Sequence, residues 1–592
     1  MSTFWQKATQ RVHLPAVVRA ESTLSSLSYT GRALFMFFAG VCVVSSIGLL
    51  YLMNRTLVVA TPARGGSLTE GIIGSPRFIN PILAVSDADR DLTALVYSGL
   101  LHALPDGSYV PDLAESYVVS PDGKTYTFVI RPNATFQDGS SVTAEDVVYT
   151  VQKIQDPALK SPALANWQGV TVRELDSHTV TFVLRSAYSP FIENLTLGIV
   201  PKQLWQDVPN DEFPFSELNT SPVGSGPYQV SSISRTASGI PSSYRLRAFN
   251  RYMLGEPYLT NVTFKFYQSE TALEEALSQG DVESASGLSP ANLDKLGVNV
   301  VTAPLNRVFG VFFNQNQSEV LRLPEVRAAL NSSINRTDLV QQILGGYGVP
   351  LEGPVPPALS NAPASESDLP SKSDSLASTT LVESAQQALL SKGWKLVEGV
   401  LVKTTGTGKN QKSMPLRFTL ATANVPELRA SAQYLKTAWE QMGAQVEVQV
   451  FDQSDLSQNV IRRRAYDALL FGEVVGRELD LFAFWHSSQR NDPGLNIAAY
   501  ANATADKALE SLRTTTDPKT RQALLDVFST QVQKDLPAVF LYAPDFVYSI
   551  PNDIAGASLG FIETPSDRFL SVAGWHRETD YVWPVFASGK DK

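Results

Sequence analysis

The sequence predicts an α/β body of at least two folding units behind one membrane-spanning helix. Three observations predict it. An uncharged apolar run of 21 residues stands near the N-terminus. Beyond it, period-two and helical patterns alternate along the chain. The chain is 592 residues long, too many for one ordinary hydrophobic core.

The run from Ala33 to Met53 reads ALFMFFAGVCVVSSIGLLYLM. About 20 apolar residues rising ~1.5 Å each cross a hydrocarbon layer of roughly 30 Å. Lys7, Arg11, Arg19 and Arg32 precede it against the single acid Glu21, while Arg55 and Arg64 follow. Positive charge stays in the cytoplasm. Residues 1–32 are therefore expected inside, 33–53 in the membrane of the cell, and the large domain outside. Ala39 and Gly40 would also suit a cleavable signal, but the run exceeds a typical signal-peptide apolar region. A lipoprotein signal wants a small residue before its cysteine, and Val41 precedes Cys42. The expectation is an uncleaved single-pass anchor. No second segment matches it, so the chain does not form a channel by itself.

Hydrophobic residues make up 43% of the sequence and charged residues 18%, values of a globular protein. The formal net charge of −10 argues against a nucleic-acid partner, which needs a basic face. Cys42 is the one cysteine, so no intramolecular disulfide can form. His13, His102, His178, His486 and His576 stand singly, without the close pairs of a metal site. No metal and no cofactor is expected.

Along the body, Tyr126, Phe128 and Ile130 alternate with polar residues, as do Val180, Phe182 and Leu184; both runs read as half-buried strands. Between them Thr143 and Asp146 have capping-box spacing ahead of Val147, Val148, Val151 and Ile154, a short amphipathic helix. Helices fit Glu325 to Ile334 and Thr337 to Leu344, the latter closed by Gly345 and Gly346. Leu416, Phe418 and Leu420 alternate in a strand, Pro426 opens a helix bearing Leu428, Leu435 and Met442 on one face, and Gly443 ends it. Val446, Val448 and Val450 then alternate, completing a βαβ crossover with parallel strands. Residues 356–381, rich in Ser, Ala and Pro, are expected as a mobile loop, and 403–413 as a loop or hairpin tip.

Several segments, in order, carry a resemblance. They are GGSLTEG (65–71), INP (79–81), the long run VYSGLLHALPDG…TAEDVVYTV (96–151), SPVGSGPYQV (221–230), ALSQGDVE (276–283), VRAALNSSINRTDLV (326–340) and YDALLFG (466–472). The long run holds the most specific pattern: Pro-x-Leu-Ala, Asp-Gly-Lys-x-Tyr-x-Phe, Phe-x-Asp-Gly and Thr-Ala-x-Asp-Val. Together the segments resemble the extracytoplasmic solute-binding proteins of ABC peptide importers, the oligopeptide- and dipeptide-binding family (solute-binding family 5). Gly224, Gly226 and Pro227 read as backbone geometry, since no Gly-Lys-Ser/Thr ending of a phosphate loop follows.

The resemblance implies a large type II periplasmic-binding-protein-like fold with two lobes closing on ligand about a hinge. Lobe I would span 54–310 with a subdomain inserted about 106–222, lobe II 311–525, and 526–592 would return to lobe I. It implies a receptor rather than an enzyme, and no Gly-x-Ser-x-Gly elbow of a serine hydrolase is present. Extended peptides would be held by main-chain hydrogen bonds, with a carboxylate for the amine and an arginine for the carboxylate. In FGEVVGRELDLFAFWHSSQ (471–489), where the family lines its cleft, Glu473 and Asp480 are candidates for a ligand amine and Arg477 for a carboxylate. Trp485 and His486 could cover an apolar ligand face, and Asn314, ending VFGVFFN, could hydrogen-bond ligand. The expected partners are a peptide or small-molecule ligand and the permease and ATPase subunits of an ABC transporter, with the receptor itself a monomer. A nickel complex, an opine or an oligosaccharide could replace the peptide, and a sensor role could replace import, because fold does not dictate ligand. A glycosidase-like carboxylate pair remains open as the enzymatic alternative.

Overall fold

The computed structural model describes residues 26–289, 293, 296–356, 378–406 and 412–583. The chain divides into two units. In the first, helix Tyr29–Leu57 contains a stretch, Tyr29–Met53, long and apolar enough to cross a membrane. Leu34, Phe37, Val44 and Leu50 are all exposed. Strand Val59–Ala63 follows after one residue and pairs antiparallel with Glu578–Val582, Val59 opposite Val582.

The second unit, Arg64–Arg577, is organised on one mixed twelve-stranded sheet. Ten strands lie side by side in the order Gln445–Phe451, Arg417–Ala423, Ala468–Val474, Arg307–Phe313, Ala538–Ser549, Ser284–Ser286, Ser67–Ile73, Asn261–Tyr267, Pro241–Ala248 and Tyr228–Arg235. Val300–Pro304 and Gly348–Pro350 also pair with Ala538–Ser549.

Two principal apolar cores form on this sheet. The first in chain order draws on Leu68 through Leu305 and again on Phe546 through Trp575; the second draws on Val308 through Ala543. The chain thus passes between cores at Leu305–Val308 and at Ala543–Phe546. Strand Ala538–Ser549 makes the second passage. Its first half pairs with Arg307–Phe313, Phe309 opposite Tyr542, and its second half pairs with Val300–Pro304, Val300 opposite Ser549. At the changeover Pro544 and Asp545 are the two half-buried residues of an otherwise buried strand. Proline has no N–H to give a ladder, which suits a point where pairing changes partner. The return to the first core comes later than residue 526, because helix Pro518–Asp535 buries Leu525, Phe528 and Val532 in the other core.

Local sequence explains the elements. In Thr125–Ile130, residues Tyr126, Phe128 and Ile130 are buried and their neighbours half-buried. That strand lies in a separate four-stranded sheet ordered Ala114–Val119, Thr125–Ile130, Thr179–Val183, Thr171–Asp176. Helix Ala144–Gln155 starts where the Asp146 carboxylate accepts from the backbone N–H and the hydroxyl of Thr143, both at 2.8 Å. Strand Arg417–Ala423, helix Pro426–Met442 and strand Gln445–Phe451 form the parallel crossover, Arg417 opposite Gln445. Gly443 takes φ 107°, a left-handed conformation that costs glycine nothing. Helices Pro324–Ser332 and Arg336–Leu344 begin at a proline and at the Asn335 cap, and the second ends on Gly345. An added Cβ at Gly224 or Gly226 would collide with the carbonyls of Val96 and Leu95, so these glycines serve a close backbone crossing.

Of the loop expected over 356–381, residues 357–377 lie outside the described residues, and its last part belongs to helix Ser378–Ser391. Strands Val400–Thr405 and Lys412–Pro415 pair on either side of 407–411, which also lie outside the described residues.

A fully buried ion cluster ties the C-terminal return to the first core. Arg568 bonds Glu70 and Asp91, each at 2.6 Å from Nη2. The Tyr548 hydroxyl donates to Glu70 at 2.8 Å, and Ser566 to Asp91 at 2.7 Å. Burial works against the guanidinium charge, but Asp91 and Glu70 outweigh it and push the Arg568 pKa up.

Candidate functional site

A cavity of about 1110 Å³ is walled by residues of both cores. Tyr97, His102, Tyr188 and Glu193 come from the first, with Glu563 and Asp567 from its C-terminal return; Arg477, Glu478, Asp480 and Arg513 come from the second. The wall carries the carboxyl groups of Asp112, Glu193, Glu478, Asp480, Glu563 and Asp567 against the guanidinium groups of Arg90, Arg185, Arg477 and Arg513. Carboxyls are in surplus, yet both signs are present.

Polar contacts join the two sides. Arg477 forms an ion pair with Asp567 at 2.7 Å, lies 5.0 Å over the Phe561 ring, and donates its backbone N–H to Glu193 at 3.1 Å. Arg477 Nη1 is buried and has no hydrogen-bond partner among the described residues. Asp480 accepts from the Tyr188 hydroxyl at 2.9 Å and pairs with Arg513 at 3.2 Å, while Arg513 lies 4.7 Å over the Tyr188 ring. The backbone N–H of Ser189 donates to the Arg513 carbonyl at 2.9 Å.

These neighbours shift proton affinities. Burial first, then Glu193 and Asp567, push Glu563 well above the carboxylate range, with Arg477 opposing. Burial raises Glu478, Arg521 opposes, and Glu193 adds to the rise. Asp112 is pushed up to about 7 by burial. Burial lowers His102, whose Nε2 sits 2.8 Å from the Leu570 carbonyl.

Of the six residues singled out in the sequence, the structure brings Arg477 and Asp480 to the cavity wall. The other four lie elsewhere. Glu473 points into the second core, where it accepts from Trp485 Nε1 at 3.2 Å; the next residue, Val474, takes the exposed side of the strand. Trp485 is fully buried among Phe312, Tyr500, Phe528 and Phe540. His486 stacks 4.0 Å from the Phe482 ring and bonds Ser488 at 2.7 Å through Nδ1. Asn314 donates to the Arg464 carbonyl at 2.9 Å and accepts from the Asn316 N–H, closing a turn.

The sequence profile described as "Bacterial extracellular solute-binding proteins, family 5 Middle" matches residues 108–493. This chain belongs to that family. The oligopeptide-binding protein AppA of Bacillus subtilis is 26% identical over 504 residues, covering 84% of this chain and 89% of AppA. Among solved structures, the ABC transporter substrate-binding protein CtaP of Listeria monocytogenes superimposes with a TM-score of 0.70 at 25% identity, over 87% of this chain and 100% of CtaP. AppA of Bacillus subtilis, in complex with a nonapeptide, gives 0.64 at 25% identity, over 87% of this chain and 99% of AppA. The fold is accordingly the two-lobed α/β fold of family 5 binding proteins, and the homologues are substrate-binding proteins rather than enzymes.

Within this family 5 chain, the sequence reading passed over most of the cavity wall. Tyr188 and Glu193, Arg513, and Glu563 and Asp567 come from three distant parts of the chain, and the one local pattern among them, the Thr564–Asp567 capping box, marks a helix start rather than a cavity wall. Glu478, one residue after Arg477, and His102 and Asp112, inside the run 96–151, stood closer to the patterns quoted above.

Proposed function

We propose that this protein reversibly binds a short peptide in the interlobe cavity and delivers it to the permease of an ABC transporter. The observation that carries the reading is the cavity itself: about 1110 Å³, walled by both cores and charged with both signs. Small-molecule pockets usually occupy ~300–1000 Å³, so this one suits a ligand of several residues. The nonapeptide held by AppA supports the same ligand class.

Arg477 Nη1 has no acceptor among the described residues and is assigned to a ligand carboxylate. Asp480, with Glu478 and Glu193 beside it in the wall, is assigned to a ligand amine. The two passages between cores serve as the hinge. Helix Tyr29–Leu57 serves as an uncleaved anchor, holding a monomeric receptor outside the cell beside its transporter.

Mass spectrometry of ligands released from full-length protein purified gently in detergent tests this. Short peptides are expected, and recovery of sugars or metal chelates alone defeats the peptide reading.

A further inference from the structure

The strand pair Val59–Ala63 and Glu578–Val582 has two unlike faces. Residues opposite one another in an antiparallel pair project to the same side, and successive residues alternate. The register sets Ala60 opposite Tyr581 and Pro62 opposite Thr579. One face therefore holds Ala60, Pro62, Thr579 and Tyr581, all exposed and none charged. Tyr581 is 71% exposed, and Trp583, two residues on, is 40% exposed. Both carboxylates of the pair, Glu578 and Asp580, are on the other face.

This ribbon is joined to the apolar helix by Val58 alone. The membrane-length stretch ends at Met53 and the helix at Leu57. Four residues at ~1.5 Å each lift the chain about 6 Å. The polar layer on each side of a hydrocarbon core is on the order of 5–8 Å deep. The ribbon thus begins within the headgroup layer. Tyrosine and tryptophan favour that layer because their rings are apolar while the O–H or N–H still finds a partner.

We propose that the Tyr581 face of this ribbon rests on the lipid–water interface, with Tyr581 and Trp583 among the headgroups and Glu578 and Asp580 turned to water. The inference rests on reading helix Tyr29–Leu57 as a membrane anchor. The partner is the bilayer surface itself. The body then has a second attachment beside the helix, made by residues more than 500 positions later in the chain.

The test uses full-length protein in phosphatidylcholine vesicles, with a bimane probe on single cysteines and nitroxide-labelled lipids as quenchers. Native Cys42, the one cysteine, sits within the apolar helix and reports the anchor. Trp583→Cys and Asp580→Cys, each combined with Cys42→Ser, report the two faces. The expected result is quenching of Cys42 by a chain-end nitroxide, and several-fold stronger quenching at position 583 than at 580 by a headgroup nitroxide. Equal quenching at 583 and 580, or none at 583, overturns the inference while a quenched Cys42 keeps the anchor. An unquenched Cys42 overturns the anchor and the inference together.

Discussion

Two arginines in this molecule meet clusters of carboxylates, with opposite results. Arg568 is enclosed in the first core, where Glu70, Asp91 and the Pro565 carbonyl take its donors. Arg477, at the cavity wall, pairs with Asp567 but leaves Nη1 without an acceptor among the described residues, and three further acids crowd nearby. A complete cluster fixes the fold, because removing one partner strands a buried charge. An incomplete one leaves donor capacity that the protein does not use, and the proposed assignment of Arg477 to a ligand carboxylate draws on it.

Mutation separates the two. Arg568→Ala should cost about 3–5 kcal/mol of stability, since Glu70 and Asp91 lose their counter-charge; denaturant unfolding measures it, and a loss below ~1 kcal/mol would remove the structural role. Arg477→Ala should weaken binding of a peptide with a free carboxylate by about 1.5–3 kcal/mol, on the order of 10- to 150-fold, in calorimetric titration. An amidated peptide should lose far less, and equal losses for both would contradict the assignment.

Glu563 sharpens the contrast through pH. Its carboxyl is raised by burial and by Glu193 and Asp567, so the folded chain holds a proton that the unfolded chain releases. Stability from this group is full below the unfolded value near ~4.3 and falls as pH rises towards the folded value. Glu563→Gln should flatten that fall, its advantage over the parent growing by at most ~1.4 kcal/mol per pH unit. Unfolding curves between about pH 5 and 8 check it, and parallel curves for the two proteins would refute it. The smallest effect is expected at Tyr188→Phe, which removes the hydrogen bond to Asp480 across the cavity. A loss of about 0.5–1.5 kcal/mol of lobe closure should show as a more open average shape in small-angle scattering.

Most of the fold was legible because it is written locally. Leu428, Leu435 and Met442 on one helical face, Gly443 after them, and the alternating Val446 and Val448 give a crossover that needs no distant information. The site was less so. Glu473 lies in a strand whose two sides are decided by packing with Val308 and Trp485, and an acidic residue at a strand end gave no sign that it turns inward. Trp485 and His486 looked like a cleft mouth, but four aromatic neighbours gather around the indole, and Phe482 covers the imidazole. Arg477 and Asp480 reach the cavity from a turn; their partners Asp567 and Tyr188 come from remote parts of the chain that no local pattern connects.

Strand Ala538–Ser549 also sets an order of assembly. The core from Val308 to Ala543 is drawn from one continuous stretch and can consolidate as soon as that stretch has emerged. The other core needs Phe546, Tyr548, Phe569 and Trp575, so its earlier residues must wait for the last part of the chain. During export, the portion made first is therefore completed last, and its apolar surface stays uncovered for longest.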